Sequence, residues 1–241
     1  MTARTSGDDA GLATLTERPA VVCDNIARTF GAGSAAVVAV YGVSCTVAPG
    51  SRIALTGPSG SGKSTMLHMM AALETPSAGT ISWPALNDHP QAHPGRIGVV
   101  FQGPSLLPAL DVAENVALPL LLADVDEREA THRAAHALSQ LGIADLADKL
   151  PEQLSGGQAQ RVAVARVLAA RPRLILADEP TGQLDHAAAQ LVLDVLLHAS
   201  RELGAALVVS THDPLIAQRL DTRWAMRDGR IDLDPADGAS A

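Results

Sequence analysis

Gly57-Pro58-Ser59-Gly60-Ser61-Gly62-Lys63-Ser64 decides the fold. The spacing fits G-x-x-x-x-G-K-[ST]. An apolar run, Ile53-Ala54-Leu55, precedes it inside a strand read over Arg52 to Thr56, and a helix-like run from Thr65 to Ala72 follows. A glycine- and serine-rich turn matching by chance would have neither flank. Glycines let a backbone wrap closely around an anion, since no Cβ intrudes and positive φ is allowed. The N–H groups at the start of the next helix have no partners within it and point at such an anion, with the helix dipole adding attraction. Lys63 supplies a point charge for phosphate oxygens, and Ser64 a hydroxyl for a magnesium ion.

Outward from this cradle, short apolar runs alternate with helix-like segments, the pattern of an α/β fold with a mostly parallel sheet. Strands are expected over Val21 to Ala27, Gly42 to Val47, Ile97 to Phe101, Leu174 to Ala177 and Ala206 to Ser210. The run Leu174-Ile175-Leu176-Ala177 ends in two acids, Asp178 and Glu179. Ligands of open α/β sheets bind beyond the carboxyl ends of strands, so both acids are predicted beside the cradle. Asp178 can hold magnesium there, and Glu179 can orient and deprotonate an attacking water. Pro180 follows and disfavours helical geometry before it, which predicts a strand-like Glu179 aimed at the site.

The chain has 241 residues, of which 47% are hydrophobic and 18% charged, so it can bury a core and is not mainly disordered. Its formal net charge of −8 weighs against a basic nucleic-acid-gripping face, and no nucleic-acid partner is expected. Cys23 and Cys45 are too few for a disulfide scaffold and lack metal-ligand spacing, which reads as small buried residues in a reducing compartment. No apolar stretch reaches the ~20 residues of a membrane span. MTARTSGDDAG at the N-terminus has no apolar core of a secretory signal. Residues 1–18 and 234–241 read as loose tails around a domain over 19–233. Its Leu/Ala-rich middle, about 103–158, reads as a helical insertion.

Leu154-Ser155-Gly156-Gly157-Gln158 carries the most specific signal. Ser155 and Gln158 have the spacing of a capping box before a helix through Arg161 to Ala170. Gly156 and Gly157 fall in its first turn, where each glycine costs up to about 1 kcal/mol relative to alanine. Helix stability does not select such a pair; close backbone approach to an anion does. With the cradle and Asp178-Glu179-Pro180, this string resembles the nucleotide-binding subunit of an ATP-binding-cassette (ABC) transporter, over nearly the whole chain.

The resemblance implies a P-loop NTPase core with a mostly parallel sheet, an antiparallel β subdomain and an inserted helical subdomain. It implies an ATPase using ATP and Mg2+, with an integral-membrane permease and a second copy of itself as partners. The site residues then follow position by position. Glu179, His212 and Gln102 match the catalytic group, and Ser64, Gln102 and Asp178 match the metal contacts. Residues 57–64 with Thr65 cradle the phosphates, and Ser155, Gly156, Gly157 and Gln158 reach the nucleotide of the opposite copy. Asp185 matches a loop that crosses the dimer interface, and Phe30 stands where the family usually stacks a tyrosine on adenine. Two further departures are Gln183, where relatives often have asparagine, and a short His/Pro-rich stretch over Leu86 to Arg96. His132 and His136 sit four apart and read as a solvated helix face rather than a metal pair.

Phe101-Gln102-Gly103-Pro104-Ser105-Leu106-Leu107-Pro108 and Glu114-Asn115-Val116-Ala117-Leu118-Pro119-Leu120 are similar to the branch containing lipoprotein-release, macrolide-export and cell-division ATPases. An apolar, proline-punctuated stretch after Gln102 suits a groove for a short helix of a membrane partner. The implied place is cytoplasmic, on the inner face of the cell membrane, powering export or extraction of a hydrophobic or lipid-linked substrate. The alternative is a regulatory module that signals through a membrane partner without transport; a soluble DNA-repair or translation ATPase is disfavoured by a single cassette with no coiled-coil insertion.

Overall fold

The computed structural model describes residues 18–86, 89–182 and 184–233. Nearly all of the two terminal stretches, Gln183, and Asn87 and Asp88 of the His/Pro-rich stretch lie outside the described residues.

Two sheets form. The first is antiparallel, order β2-β1-β4, from β1 (Val21–Phe30), β2 (Val37–Val47) and β4 (Ala78–Ser82). In β2, Val43, Cys45 and Val47 are buried while the residues between them are exposed, the period of a strand with one covered face. Cys23 lies opposite Cys45 across the β1–β2 ladder; both are free and buried. The Cys45 thiol is held well above its ordinary range by its hydrogen bond with Cys23 and by burial, which makes it an inert core residue.

The second sheet contains β3 (Arg52–Thr56), β5 (Ile97–Val100), β6 (Leu174–Asp178), β7 (Ala206–Thr211), β8 (Thr222–Arg227) and β9 (Arg230–Leu233), in the order β5-β6-β7-β3-β8-β9. All its pairings are parallel except β8–β9. Every residue of β6 and β7 is buried, as expected for strands covered on both faces. Alternate residues feed two cores. Ala54, Ile175, Ala177, Leu207 and Val209 face one; Ile53, Leu55, Leu174, Leu176 and Val208 face the other, with Trp224 and Met226. Helix α1 (Lys63–Met70) closes the second core with Met66, Leu67, Met69 and Met70.

Helices α2 (Val112–Leu122) and α3 (Glu127–Gln140) fall in the stretch read as a helical insertion and pack on α4 (Gly156–Ala169). Asp111 and Glu114 form a capping box that starts α2. Then come α5 (His186–Leu203), stopped by Gly204 at φ +60°, and the short α6 (Pro214–Ala217). Among the described residues no helix is long and apolar enough to cross a membrane.

Three strands have no counterpart in the sequence expectations. β4 is a short, exposed edge strand without an apolar run, and β8 and β9 mix charged with apolar residues. β1 and β2 extend past their expected ends because irregular register lets polar residues such as Thr29 stay paired.

Asn115, 1% exposed, staples the segment before α2. Its Oδ1 accepts from the Leu107 N–H, and its amide nitrogen donates to the carbonyls of Leu107, Leu110 and Asp111. Asn115→Ala takes their partner from the Leu107 N–H and the Leu110 carbonyl, while the Leu107 and Asp111 carbonyls keep their backbone donors, and is expected to lower stability by about 2–4 kcal/mol, measured by urea unfolding.

Candidate functional site

The strand order does much of the positioning. β5, β6, β7 and β3 are adjacent and parallel, so their carboxyl ends lie along one edge. β3 runs into the glycine turn, β5 into Gln102, β6 into Asp178 and Glu179, and β7 into His212. A cleft of about 540 Å³ lies there, lined by Ser59, Gly60, Gly62, Lys63, Ser64, Thr65, Gln102, Glu179 and His212. Ala39 and Gly182 complete the lining, and neither is marked by any sequence signal, since both contribute chiefly backbone and small size.

Local geometry explains the glycines. A Cβ on Gly57 would lie 2.2 Å from the Met226 carbonyl oxygen. Gly62 has φ +103°, and a Cβ there would lie 2.2 Å from the Ala39 carbonyl oxygen. Gly62 also precedes α1 without a side chain to cap it, whereas Asp111, Asp126, Ser155, Asp185 and Asp213 cap α2 to α6. The first-turn N–H groups of α1 are therefore left without side-chain acceptors beside the cleft.

Lys63 is 7% exposed. Its ammonium donates to the carbonyls of Gly57 at 2.9 Å and Pro58 at 3.0 Å, and lies 3.9 Å from Glu179 Oε1. Glu179 Oε2 is 2.9 Å from His212 Nδ1. One carboxylate thus bridges a buried lysine and a histidine whose side chain is 70% exposed. Ser61 is buried, and its hydroxyl oxygen has no hydrogen-bond partner among the described residues.

The extended geometry expected of Glu179 is not what forms. Its φ is +46°, in the left-handed region, and β6 stops at Asp178. The turn is held from both sides. The Glu179 N–H donates to the Ser210 hydroxyl at 3.0 Å and lies 3.2 Å from the Ser210 carbonyl oxygen, while the Gly182 N–H donates to the Glu179 carbonyl at 3.1 Å. Proline disfavours right-handed helical geometry before it, which leaves this bend open. A non-glycine residue held there costs on the order of 1–3 kcal/mol, and such strain gathers at functional sites.

Asp178 is 3% exposed and accepts from the Ser210 hydroxyl at 2.5 Å. It does not line the cleft itself. Ser210 is a site residue the sequence reading missed; its signal is a hydroxyl ending an apolar strand, in register with Asp178. The side-chain oxygens at or near the cleft include those of Ser59, Ser64, Thr65, Gln102, Asp178 and Glu179, and among the described residues no three His, Cys, Asp or Glu side chains gather into a metal cage. Hard oxygen donors without such a cage suit a magnesium ion that arrives on phosphates rather than one held by the protein alone.

The remaining expected residues lie elsewhere. Ser155 and Gln158 form the expected capping box, with the Ser155 N–H donating to the Gln158 side chain at 2.8 Å. Neither they nor Gly156 and Gly157 line the cleft of the same chain. A Cβ on Gly156 would meet nothing within 4 Å, so packing within the chain does not require glycine there. Asp185 caps α5 through the Ala188 N–H. Phe30 ends β1, is 40% exposed and carries the Arg28 guanidinium 4.7 Å over its ring, outside the cleft lining.

A glycine turn between a buried strand and an uncapped helix, facing an acid-ended strand, defines a P-loop nucleotide-binding protein. Within that class the chain belongs to the ABC transporter family, whose model matches residues 40–182. It is an ATP-binding-cassette ATPase. It is 40% identical over 211 residues to the lipoprotein-releasing system ATP-binding protein LolD of Legionella pneumophila (strain Paris), covering 85% of this chain and 93% of that one. LolD of Bordetella pertussis is 39% identical over 223 residues, covering 90% and 96%. Among solved structures it is similar to the dimeric cassette MJ0796 in a post-hydrolysis state bound to ADP and Pi. The TM-score is 0.81 at 34% identity, covering 88% of this chain and 96% of that one.

Gly62→Ala puts a methyl group against the Ala39 carbonyl in a backbone conformation that alanine resists. Affinity for ATP, measured by titration calorimetry, is expected to fall roughly 30-fold or more.

Proposed function

We propose that this chain is the nucleotide-driven motor of a lipoprotein-releasing transporter, seated on the inner face of the cell membrane through a separate permease. The cleft that joins Lys63, Glu179 and His212 carries the catalytic part of this reading. The likeness to LolD over nearly the full length of both chains supports the substrate class.

The residues divide the work as follows. Backbone N–H groups of the 57–64 turn and the start of α1 take the phosphate oxygens. Lys63 turns from its own loop carbonyls to the terminal phosphates, a short move for an ammonium already at the cleft wall. Glu179 accepts a proton from the attacking water as that oxygen bonds to the γ-phosphorus and the bond to ADP breaks. The Nδ1 contact of His212 fixes the direction of the Glu179 carboxylate. Ser64, Gln102 and Asp178 would hold magnesium, which offsets phosphate charge when bound.

A second copy completes the site. Ser155 and Gly157 of each copy meet the γ-phosphate in the other's cleft; this accounts for a glycine at 156, where a Cβ would meet nothing within 4 Å, while at 157 a Cβ would also press on Leu184 Cδ2 at 3.3 Å. A solved structure of the similar cassette MJ0796 is dimeric, and a two-fold dimer of this chain would supply both trans contacts. ATP bridges two chains of like charge, and hydrolysis removes the bridge. Opening and closing then move the permease, since only contacts that differ between the ATP and ADP states can drive such motion.

Glu179→Gln keeps the shape of the side chain but cannot take a proton. Single-turnover hydrolysis by the complex with its permease is expected to slow roughly 10²–10⁴-fold while ATP binding persists, and an ATP-bound dimer accumulates in light scattering. A rate within tenfold of the parent overturns the assignment of the base. Ser155→Arg is expected to leave ATP binding by the monomer intact and to abolish the ATP-dependent dimer in the same light-scattering assay. Release of a fluorescent lipoprotein from proteoliposomes with the cognate permease tests the substrate class; ATP turnover without release favours a signalling role.

A further inference from the structure

Between β5 and α2 the chain runs through Phe101 to Leu107, and of this stretch only Gln102 lines the cleft. Helix α4 grips the stretch twice. Gln160, 1% exposed, donates its amide nitrogen to the Phe101 carbonyl at 3.2 Å. Arg166 donates from one guanidinium nitrogen to the Ser105 carbonyl at 2.7 Å and from the other to the Ser105 hydroxyl at 2.9 Å. The two grips bracket Gln102 on both sides along the chain. Six residues of helix rise about 9 Å, so the grips are well separated and fix direction as well as position.

Two features set this attachment apart from ordinary packing. Among the described residues no carboxylate pairs with Arg166, and burial lowers its guanidinium below its ordinary range. A half-buried cation whose hydrogen-bond partners are all neutral is only partly compensated. What the guanidinium offers is a rigid fork, two parallel bonds that a lysine ammonium cannot reproduce. The second feature is Gln160 Oε1, a buried acceptor without a partner among the described residues. An unmet buried acceptor is costly, and such groups gather where a function or a water accounts for them.

We propose that Arg166, assisted by Gln160, is a positioning residue for ATP hydrolysis: it locks the loop bearing Gln102 to the helix whose tip is Ser155. Gln102 then stands in the cleft only while α4 is correctly seated, and the link is made by hydrogen bonds rather than by the chain connection alone. The His68 ring, 5.8 Å from that of Phe101, borders the same loop from α1, so the phosphate-binding helix and α4 both meet it. This inference rests on the reading of Gln102 as a group that acts on metal or water.

A double-mutant cycle in the complex with the native permease, in lipid nanodiscs, tests it. The kcat and KM for ATP are measured for the parent, Arg166→Lys, Gln102→Ala and the double variant. Arg166→Lys is expected to lower kcat roughly tenfold with KM within about twofold, since it displaces a reacting group without removing a binding contact. In the Gln102→Ala background the same change is expected to cost less than about twofold, because its route of action is already gone. An equal loss in both backgrounds, or a loss carried by KM, overturns the positioning role. If Arg166→Lys fails to assemble, Ser105→Ala removes only the hydroxyl acceptor and goes through the same cycle, with a loss of about threefold expected in the parent background alone. A parent complex that does not hydrolyse ATP, or full kcat in Gln102→Ala, overturns the functional reading beneath it as well.

Discussion

The fold converges on one ammonium group. Lys63 is buried among its own loop carbonyls and the Glu179 carboxylate, which come from two separate parts of the molecule. Gly57 and Pro58 are placed by β3, Glu179 by the end of β6, and His212, on the other side of Glu179, by the end of β7. A buried lysine needs such partners, because an unpaired charge in that position would be neutralised or expelled. The partners are also ones that a triphosphate can replace oxygen for oxygen. The ammonium is thus already surrounded by oxygens, and exchanging them for phosphate oxygens requires little rearrangement of the strands.

The strongest signals in the sequence were those where chemistry restricts residue choice. The turn at 57–64, the capping box at Ser155 and the acid pair ending β6 each allow few substitutes, and each was legible with its flanks. Continuous apolar strands such as β6 and β7 were legible for the same reason. What escaped had weak local signals. β4 is a polar edge strand, and β8 sets only two buried residues, Trp224 and Met226, between exposed arginines, a pattern that short loops also show. Ser210 and the grip of Arg166 on Ser105 join residues 31 positions or more apart, so no local pattern announces them.

The backbone at Glu179 shows where a local rule gave way. The residue before a proline favours extended geometry, yet Ser210 and Gly182 hold this one in a left-handed turn. Three hydrogen-bonding groups outweigh a modest steric preference. The turn ends the strand one residue early, and the carboxylate stands at the cleft between Lys63 and His212 instead of continuing along the sheet.

That bend has a consequence for anyone selecting hardier versions of the molecule. Glycine is the residue most at ease with a left-handed backbone, so a screen that rewards resistance to heat would be drawn to this position and would favour discarding its side chain. With Glu179 in the proposed role of base, thermal selection and turnover pull in opposite directions at a single site, and a library ranked by melting temperature alone would enrich well-folded proteins without that carboxylate.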